Sequence, residues 1–370
     1  MPHPLPAPNA TDSRRLVALD AFRGLTIAFM VLVNDPGDGH HVYAPLQHSE
    51  WNGWTPTDVV FPSFVWIVGV ALTLSLAKRL AAGVSRGALF RRAVLRAAIL
   101  YLLGLAVYAA PAFSLSSQRL LGVLQRIAIC YLAAAAIYLT TKLRGQIAWI
   151  IGLLAVYWVL MAWVPVPGYG AGRLDMEGNF AHYIDRIVLG AHNYHSTKTW
   201  DPEGIVSTLP AIATALFGVI CGDLLRLKSA LKQKVVWMLI AGVALIVAGE
   251  ICNLWLPINK KLWTTSFTLF MAGLDFVLLA AFLWLVDGLG HKRMVKPLVI
   301  IGLNPITVYM LSELLDEALD LSGLHGVIYH ALFQPIASPI NASLLWALAY
   351  TGLMFLAAWV MYKRGWVVRV

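Results

Sequence analysis

The chain has 370 residues, of which 59% are hydrophobic and 13% charged, against roughly 25% charged in an ordinary soluble domain. That balance excludes a soluble globule and points to an all-α polytopic membrane protein. The net charge of +9 is therefore first a matter of where Lys and Arg sit relative to a bilayer, and nucleic acid is not an expected partner.

The first fifteen residues are Pro-rich and polar and end in Arg14 and Arg15. They read as a disordered cytoplasmic tail, without the pattern of a cleaved leader, so the first apolar segment is expected to stay as an anchor. A spanning helix needs about 20 mostly apolar residues. Residues 16–370 supply about ten such transmembrane helices in one integral domain: Leu16–Asn34, Asp58–Ala77, Ala93–Ala110, Gln118–Leu139, Ile147–Val166, Ile205–Leu225, Val235–Leu256, Thr264–Val286, Pro297–Leu315 and Leu344–Met361. Cys130, Cys221 and Cys252 all fall in apolar segments, without metal-type spacing, and read as small core residues.

Charge alternates between the gaps. One set of connections, with the tails, carries nineteen Lys and Arg, and the other set carries five: Arg173, Arg186, Lys198, Lys260 and Lys261. The positive-inside rule then places both termini in the cytoplasm and the loops around His48 and 167–203 on the far side. The 167–203 loop contains GYGAGRLD and AHNYHS. Its Gly, His, Asn and Tyr suit either a polyhydroxylated ligand or a folded lid. His182, His192 and His195 lack a carboxylate or Cys to complete a metal set, so no metal is expected. His40 and His41 follow Gly-Asp-Gly and read as a turn.

A charge at the bilayer centre costs about 2.5–3.5 kcal/mol on insertion scales, so it needs a partner or a wet cavity. Asp20 and Arg23 lie three apart on one face of the first helix and can pair. Gln118, Arg119, Gln125 and Arg126 load the fourth helix, with Arg119 and Arg126 two turns apart on one face. Glu250 and Asp275 fall in the seventh and eighth helices and Asn304 in the ninth. For Asp20, Arg23, Glu250 and Asp275 a structural ion pair competes with a functional role. Together these residues imply a polar pathway or a deep pocket inside the bundle.

The most informative stretch is Leu46 to Gly69, LQHSEWNGWTPTDVVFPSFVWIVG. His48, Glu50, Trp51, Asn52 and Trp54 crowd together just before Asp58, which opens an apolar run. A carboxylate at that lip needs a partner, and His48 is the nearest group that can also do chemistry near neutral pH. The bland reading is an interfacial loop whose aromatics anchor a helix. Asn34 closes the first helix on the same side.

Six segments resemble one family: LDAFRGLTIAFMVLVN (Leu19–Asn34), HSEWNGWTPTDVVFPSFVWIVG (His48–Gly69), GVLQRIAICY (Gly122–Tyr131), DPEGIVSTLPAIATALFG (Asp201–Gly218), PINKKLWTTSF (Pro257–Phe267) and IGLNPITVY (Ile301–Tyr309). In this order they resemble the heparan-α-glucosaminide N-acetyltransferase family, in particular bacterial inner-membrane members of the NagX type. The resemblance implies a transmembrane acyltransferase fold. It implies that acetyl-CoA from the cytosol donates an acetyl group to an amino-sugar acceptor across the membrane. The family's catalytic histidine falls on His48, its neighbouring aspartate on Asp58 and a polar residue on Asn34. Asp20, Arg23, Trp51, Asn52, Gln125, Arg126, Asn259, Lys260, Trp263 and Asn304 are the candidates for holding substrate or acetyl-CoA. The lysosomal relatives carry an extra N-terminal region and helix, so by this resemblance ten helices are expected here in place of eleven, and Glu50 stands where relatives often have a small residue.

His48 is expected to act as a general base steadied by Asp58, with Asn34 and Asn52 as oxyanion donors, or as a nucleophile that is briefly acetylated. Arg23, Arg126 and the loops around Arg91 and Arg226 are the candidates for the CoA phosphates; no Walker-type loop is present. The partners expected are acetyl-CoA, the amino sugar and the lipid bilayer, with a homodimer kept open. A secondary transporter of small sugars is the alternative from a different class, and a scaffold comes third.

Overall fold

The computed structural model describes residues 16–110 and 114–368; the expected tail of residues 1–15, with Arg14 and Arg15, and Arg369 lie outside them. Among the described residues the molecule is helical, and its only β-type pairings are two isolated bridges. The helices are α1 (Val17–Asn34), α2 (Pro56–Ala81), α3 (Arg86–Ala109), α4 (Val123–Thr140), α5 (Leu143–Trp163), α6 (Phe180–Val188), α7 (Thr208–Arg226), α8 (Leu231–Asn253), α9 (Thr265–Phe282), α10 (Lys296–Gly302), α11 (Pro305–Leu321), α12 (Leu324–Ile328) and α13 (Pro339–Lys363). Among the described residues nine are long and apolar enough to cross a membrane, with α9 extended by a π-turn to Gly288. The pair α10 and α11 makes a tenth span if counted as one.

That tenth span departs from the straight helix expected over Pro297–Leu315. The chain bends by 78° between α10 and α11. Asn304 leaves helical geometry there (φ −128°, ψ 53°) because the residue before a proline is pushed out of the α region, and Pro305 follows. The fourth helix also differs: it begins at Val123, so Gln118 and Arg119 sit in the loop before it and Arg119 does not share a helix face with Arg126.

α2 and α7 form the centre of the bundle, whereas α5, α8 and α13 turn most of their apolar side chains outward, as lipid-facing helices do. The central pair touches backbone to backbone. A Cβ on Gly69 would meet the Ala215 carbonyl at 1.9 Å, and one on Gly218 would meet the Trp66 carbonyl at 2.0 Å. Small residues at such crossings let membrane helices approach closely. Gly24 of α1 and Gly302 of α10 make a second crossing of the same kind. Because successive long helices alternate in direction, the basic connections gather at one end of the bundle. The loops around His48, 167–203 and 254–263 gather at the other.

Candidate active site

α2 begins with Thr55 before Pro56, and proline at the first helical position is preorganised for a helix start. Asp58, three residues in, turns its carboxylate back over that start. Its Oδ2 accepts from the backbone N–H groups of Ser49 and Thr55, each at 3.0 Å, and from the Thr55 hydroxyl at 3.2 Å. A helix N-terminus favours an anion there. Pro62, one turn on, has no N–H to give the Asp58 carbonyl, so the helix backbone is also open at this point. Asp58 is fully buried.

Its other oxygen, Oδ1, lies 2.7 Å from His48 Nδ1. A separation that short between a ring nitrogen and a carboxylate oxygen requires a proton between them, so Nδ1–H donates, and in the neutral ring Nε2 then carries the lone pair. Lys260 Nζ stands 3.1 Å from the same Nδ1 and 3.5 Å from Asp58 Oδ1. With the Nδ1 proton already committed, its useful interaction is with the carboxylate. Burial pulls the Lys260 pKa down, and Asp58 opposes that shift. Among the described residues His48 Nε2 has no hydrogen-bond partner, and the side chain is 48% exposed, so Nε2 is the accessible ring nitrogen.

The dyad opens into a cavity of about 770 Å³, within the range of small-molecule sites. Four walls surround it. His48, Ser49, Asp58, Lys260, Lys261 and Trp263 form one, and the lid residues Tyr194 to Glu203 form another. Tyr108 and Arg119 form a third, and the ends of α1 (Asn34, Asp35) and α11 (Tyr309, Glu313, Asp316) form the fourth.

The candidates named from the sequence divide by place. His48, Asp58, Asn34, Lys260 and Trp263 are brought together in the cavity. Asn52 and Asn259 stand behind it and stitch two loops. Asn259 Nδ2 donates to Asn52 Oδ1 (3.2 Å), Asn259 Oδ1 accepts from Leu262 N (2.9 Å), and Gly53 N donates to the Ile258 carbonyl (2.7 Å). This holds His48 and Lys260 in register, and Trp263 takes a left-handed backbone (φ 51°) to complete the turn. Asn52, whose amide serves the stitch, does not line the cavity as an oxyanion donor would. Asn259→Ala is expected to cost about 1–3 kcal/mol, because it orphans the buried Leu262 N–H. A lowered melting temperature together with lowered turnover would check this.

Trp51 belongs to the lid. Its indole N–H donates to the Leu174 carbonyl (2.9 Å), and its ring meets His182 and Trp200 edge-on. His182 stacks on Trp200 at 4.1 Å, and burial pushes its pKa down to about 4. It is therefore neutral at pH 7, and its stack on Trp200 latches the folded 167–203 loop, with α6 in it, as a lid. His192 turns instead to the Gln118 carbonyl (2.8 Å). His40 and His41 both bond Asp38 in the expected turn.

Arg126 is 1% exposed. It donates to the Gly204 carbonyl and the Ser207 hydroxyl and lies under Trp263, 5.0 Å from the ring centroid. Its guanidinium is thus enclosed at the cavity end of α4, with Nε and Nη1 lacking a partner among the described residues, and it lies away from the basic end of the bundle. Gln125 is fully buried against Gly104, with no protein partner for its amide among the described residues. Asp20 and Arg23 pair at 2.9 Å, and Arg23 also donates to the Gly302 carbonyl at the end of α10. They lie about 16–21 Å along α1 from Asn34, away from the dyad. Asn304 uses both ends of its amide on the C-terminal segment, at Trp366 O and Val368 N. Of the expected ion pairs, Asp275 takes a Ser63 hydroxyl instead and Glu250 an Asn253 amide; neither meets a basic side chain among the described residues.

Several cavity residues were missed. Glu313, Asp316, Glu317 and Asp320 recur at helical spacing and so load one face of α11 with acid. That spacing was the available signal. Asp35 follows Asn34 directly. Arg119 was misplaced on the fourth helix. It forks onto Asp201 (2.8 and 2.7 Å) and Glu203 (2.5 Å) between the rings of Tyr108 and Tyr194. Asp316, Asp320 and His325 place three ligand atoms within 4.8 Å, but His325 already engages Asp320 and the Gly37 carbonyl, as a tether for that loop.

Residues 15–250 match the family pattern described as heparan-alpha-glucosaminide N-acetyltransferase, catalytic. The chain belongs to this family. A mouse protein named heparan-alpha-glucosaminide N-acetyltransferase is 29% identical over 414 residues, covering 97% of this chain and 61% of the relative. The human protein of that name is 29% identical over 357 residues, covering 82% and 53%. The chain thus spans a little over half the length of the relatives it matches. The family match takes in the His48 loop, Asp58, Arg126 and the lid, and the mouse alignment extends over nearly the whole chain.

Proposed function

We propose that the protein is an acetyltransferase that moves an acetyl group from acetyl-CoA to the amine of an amino sugar in the His48 cavity. The observation that carries this reading is the 2.7 Å contact between His48 Nδ1 and the buried Asp58, which leaves Nε2 as a base facing a cavity. The named relatives support the reaction class.

The amine at neutral pH is largely an ammonium and must lose a proton before it attacks. His48 Nε2 takes that proton, and Asp58 stabilises the imidazolium. The amine nitrogen then bonds to the thioester carbon, the C–S bond breaks, the thiolate takes the proton held on His48 Nε2, and the nitrogen gives its remaining surplus proton to solvent as the amide forms. Lys260 and Asn34 both line the cavity and are the candidate donors to the developing oxyanion. The donor enters from the basic end, which the charge asymmetry assigns to the cytoplasm; the cavity then faces the periplasm, with the protein in a bacterial inner membrane. The exposed cations at that end, such as Arg91, remain the candidates for the CoA phosphates.

The broken span at Asn304 is a feature shared with secondary transporters. Its freed groups serve the C-terminal segment and not the cavity, which argues against a transport role. Purified protein given acetyl-CoA and D-glucosamine should release CoA thiol only when both are present. Uptake of labelled glucosamine into vesicles without acetyl-CoA, with no thiol release, would favour the transporter.

A further inference from the structure

We infer that Asp35, with Glu313 and Asp316, forms the subsite that holds the acceptor's ammonium group, and that acetylation releases the product by cancelling that charge. The inference rests on the acetyltransferase reading above. It begins with a carboxylate in a place that folding alone disfavours. Asp35 is 5% exposed, lines the cavity, and has no hydrogen-bond partner for its side chain among the described residues. Its backbone N–H bonds the Val31 carbonyl, so it is fixed at the C-terminal end of α1, where the helix dipole disfavours an anion. Glu313 and Asp316 of α11 face it as further like charges, and Tyr350 of α13 lies close by. Burial, then these two acids, push the Asp35 pKa up to about 8.

The cations nearby are already engaged. Arg119, which faces Glu313, is forked onto Asp201 and Glu203. Asn34 lies beside Glu313 without neutralising it. His325 faces Asp316 but bonds Asp320, and Glu317 adds another negative charge. Lys260 and Lys261, across the cavity, are held by Asp58 and the Glu50 carbonyl. An acidic wall opposite a neutral imidazole recognises a primary ammonium. The same cavity offers Nε2 to take the proton, and the neutral amide that results has nothing to hold it to the wall.

Calorimetry on the full-length protein without acetyl-CoA, at pH 7, tests this. D-glucosamine should bind at least tenfold more tightly than D-glucose or N-acetyl-D-glucosamine, with proton release seen as a buffer-dependent heat. Asp35→Asn combined with Glu313→Gln should bring that preference within twofold, and Asp35→Asn alone should lower it at least threefold. His48→Ala should keep it while losing thiol release. Equal binding of the three sugars by the wild type, or a tenfold preference kept by the carboxamide variants, overturns the subsite. Glucosamine-dependent thiol release would in that case leave the transfer reading standing, so the two failures are distinguishable.

Discussion

His48→Ala is expected to lower turnover about 10²–10⁴-fold with little change in acetyl-CoA affinity, since a positioned base contributes about that much. His48 is half exposed and its ring is held by one carboxylate, so its loss should leave the fold intact. Asp58→Asn separates the two things Asp58 does. An amide can still receive the Ser49 and Thr55 N–H groups through its oxygen. If its NH₂ then faces His48, the ring must turn its lone pair to that side and carry its proton on Nε2, the wrong tautomer for a base. A loss comparable to that of His48→Ala, with the melting temperature within a few degrees of wild type, is the expected result. Stopped-flow thiol release and a thermal shift on the same samples would show it. An activity within threefold of wild type in His48→Ala would mean that His48 does not move the proton, and one in Asp58→Asn that Asp58 does not set its tautomer.

Arg119→Ala should produce the largest loss of stability. Asp201 is 1% exposed and Glu203 nearly as enclosed, and both depend on one guanidinium. Breaking a buried pair by removing one partner costs about 3–5 kcal/mol, because the remaining charge is left uncompensated. Burial already raises the Asp201 pKa against the opposing pull of Arg119. Without the arginine the folded state would hold protons on these acids more strongly than the unfolded chain does. By linkage the variant's deficit should shrink as pH falls from 8 towards 5. A melting curve series for wild type and variant measures this directly; a deficit that widens towards low pH would contradict it. The lid hangs from Asp201 and Glu203, so the same variant should also open the His182–Trp200 stack to solvent.

Asp35 supplies a companion test with the opposite sign. Its folded pKa of about 8 lies above the ordinary 3.8, so the fold loses stability as pH rises between those values. Asp35→Asn should therefore raise the melting temperature, and raise it more at pH 8.5 than at pH 5. The gain should reach about 2–5 kcal/mol at most, since a tenfold change in proton affinity corresponds to about 1.36 kcal/mol.

Membrane architecture was legible because it depends on long apolar runs and on the side that collects Lys and Arg, both local properties of the chain. His48 and Asp58 were legible because only ten residues separate them and a helix start lies between. Asn52 and Asn259 came from the family motifs without their structural part, since a separation of 207 positions hides the fact that they bond each other. The acidic face of α11 was hidden for another reason. The expected ninth helix ran straight and stopped at Leu315, which left Asp316 and Asp320 in a loop. Only the 78° bend before Pro305 carries α11 across the cavity mouth. Arg119 was misread because nothing in an apolar run says where a helix begins, and Gly122 ended up outside it.

A structure of the His48→Gln protein with acetyl-CoA and D-glucosamine bound would measure the central claim most directly. The account predicts the sugar nitrogen within hydrogen-bond reach of position 48 and about 3–3.5 Å from the thioester carbon, with the CoA head towards the basic end. An amine lodged outside this cavity, or a thioester that does not reach it, would contradict the account.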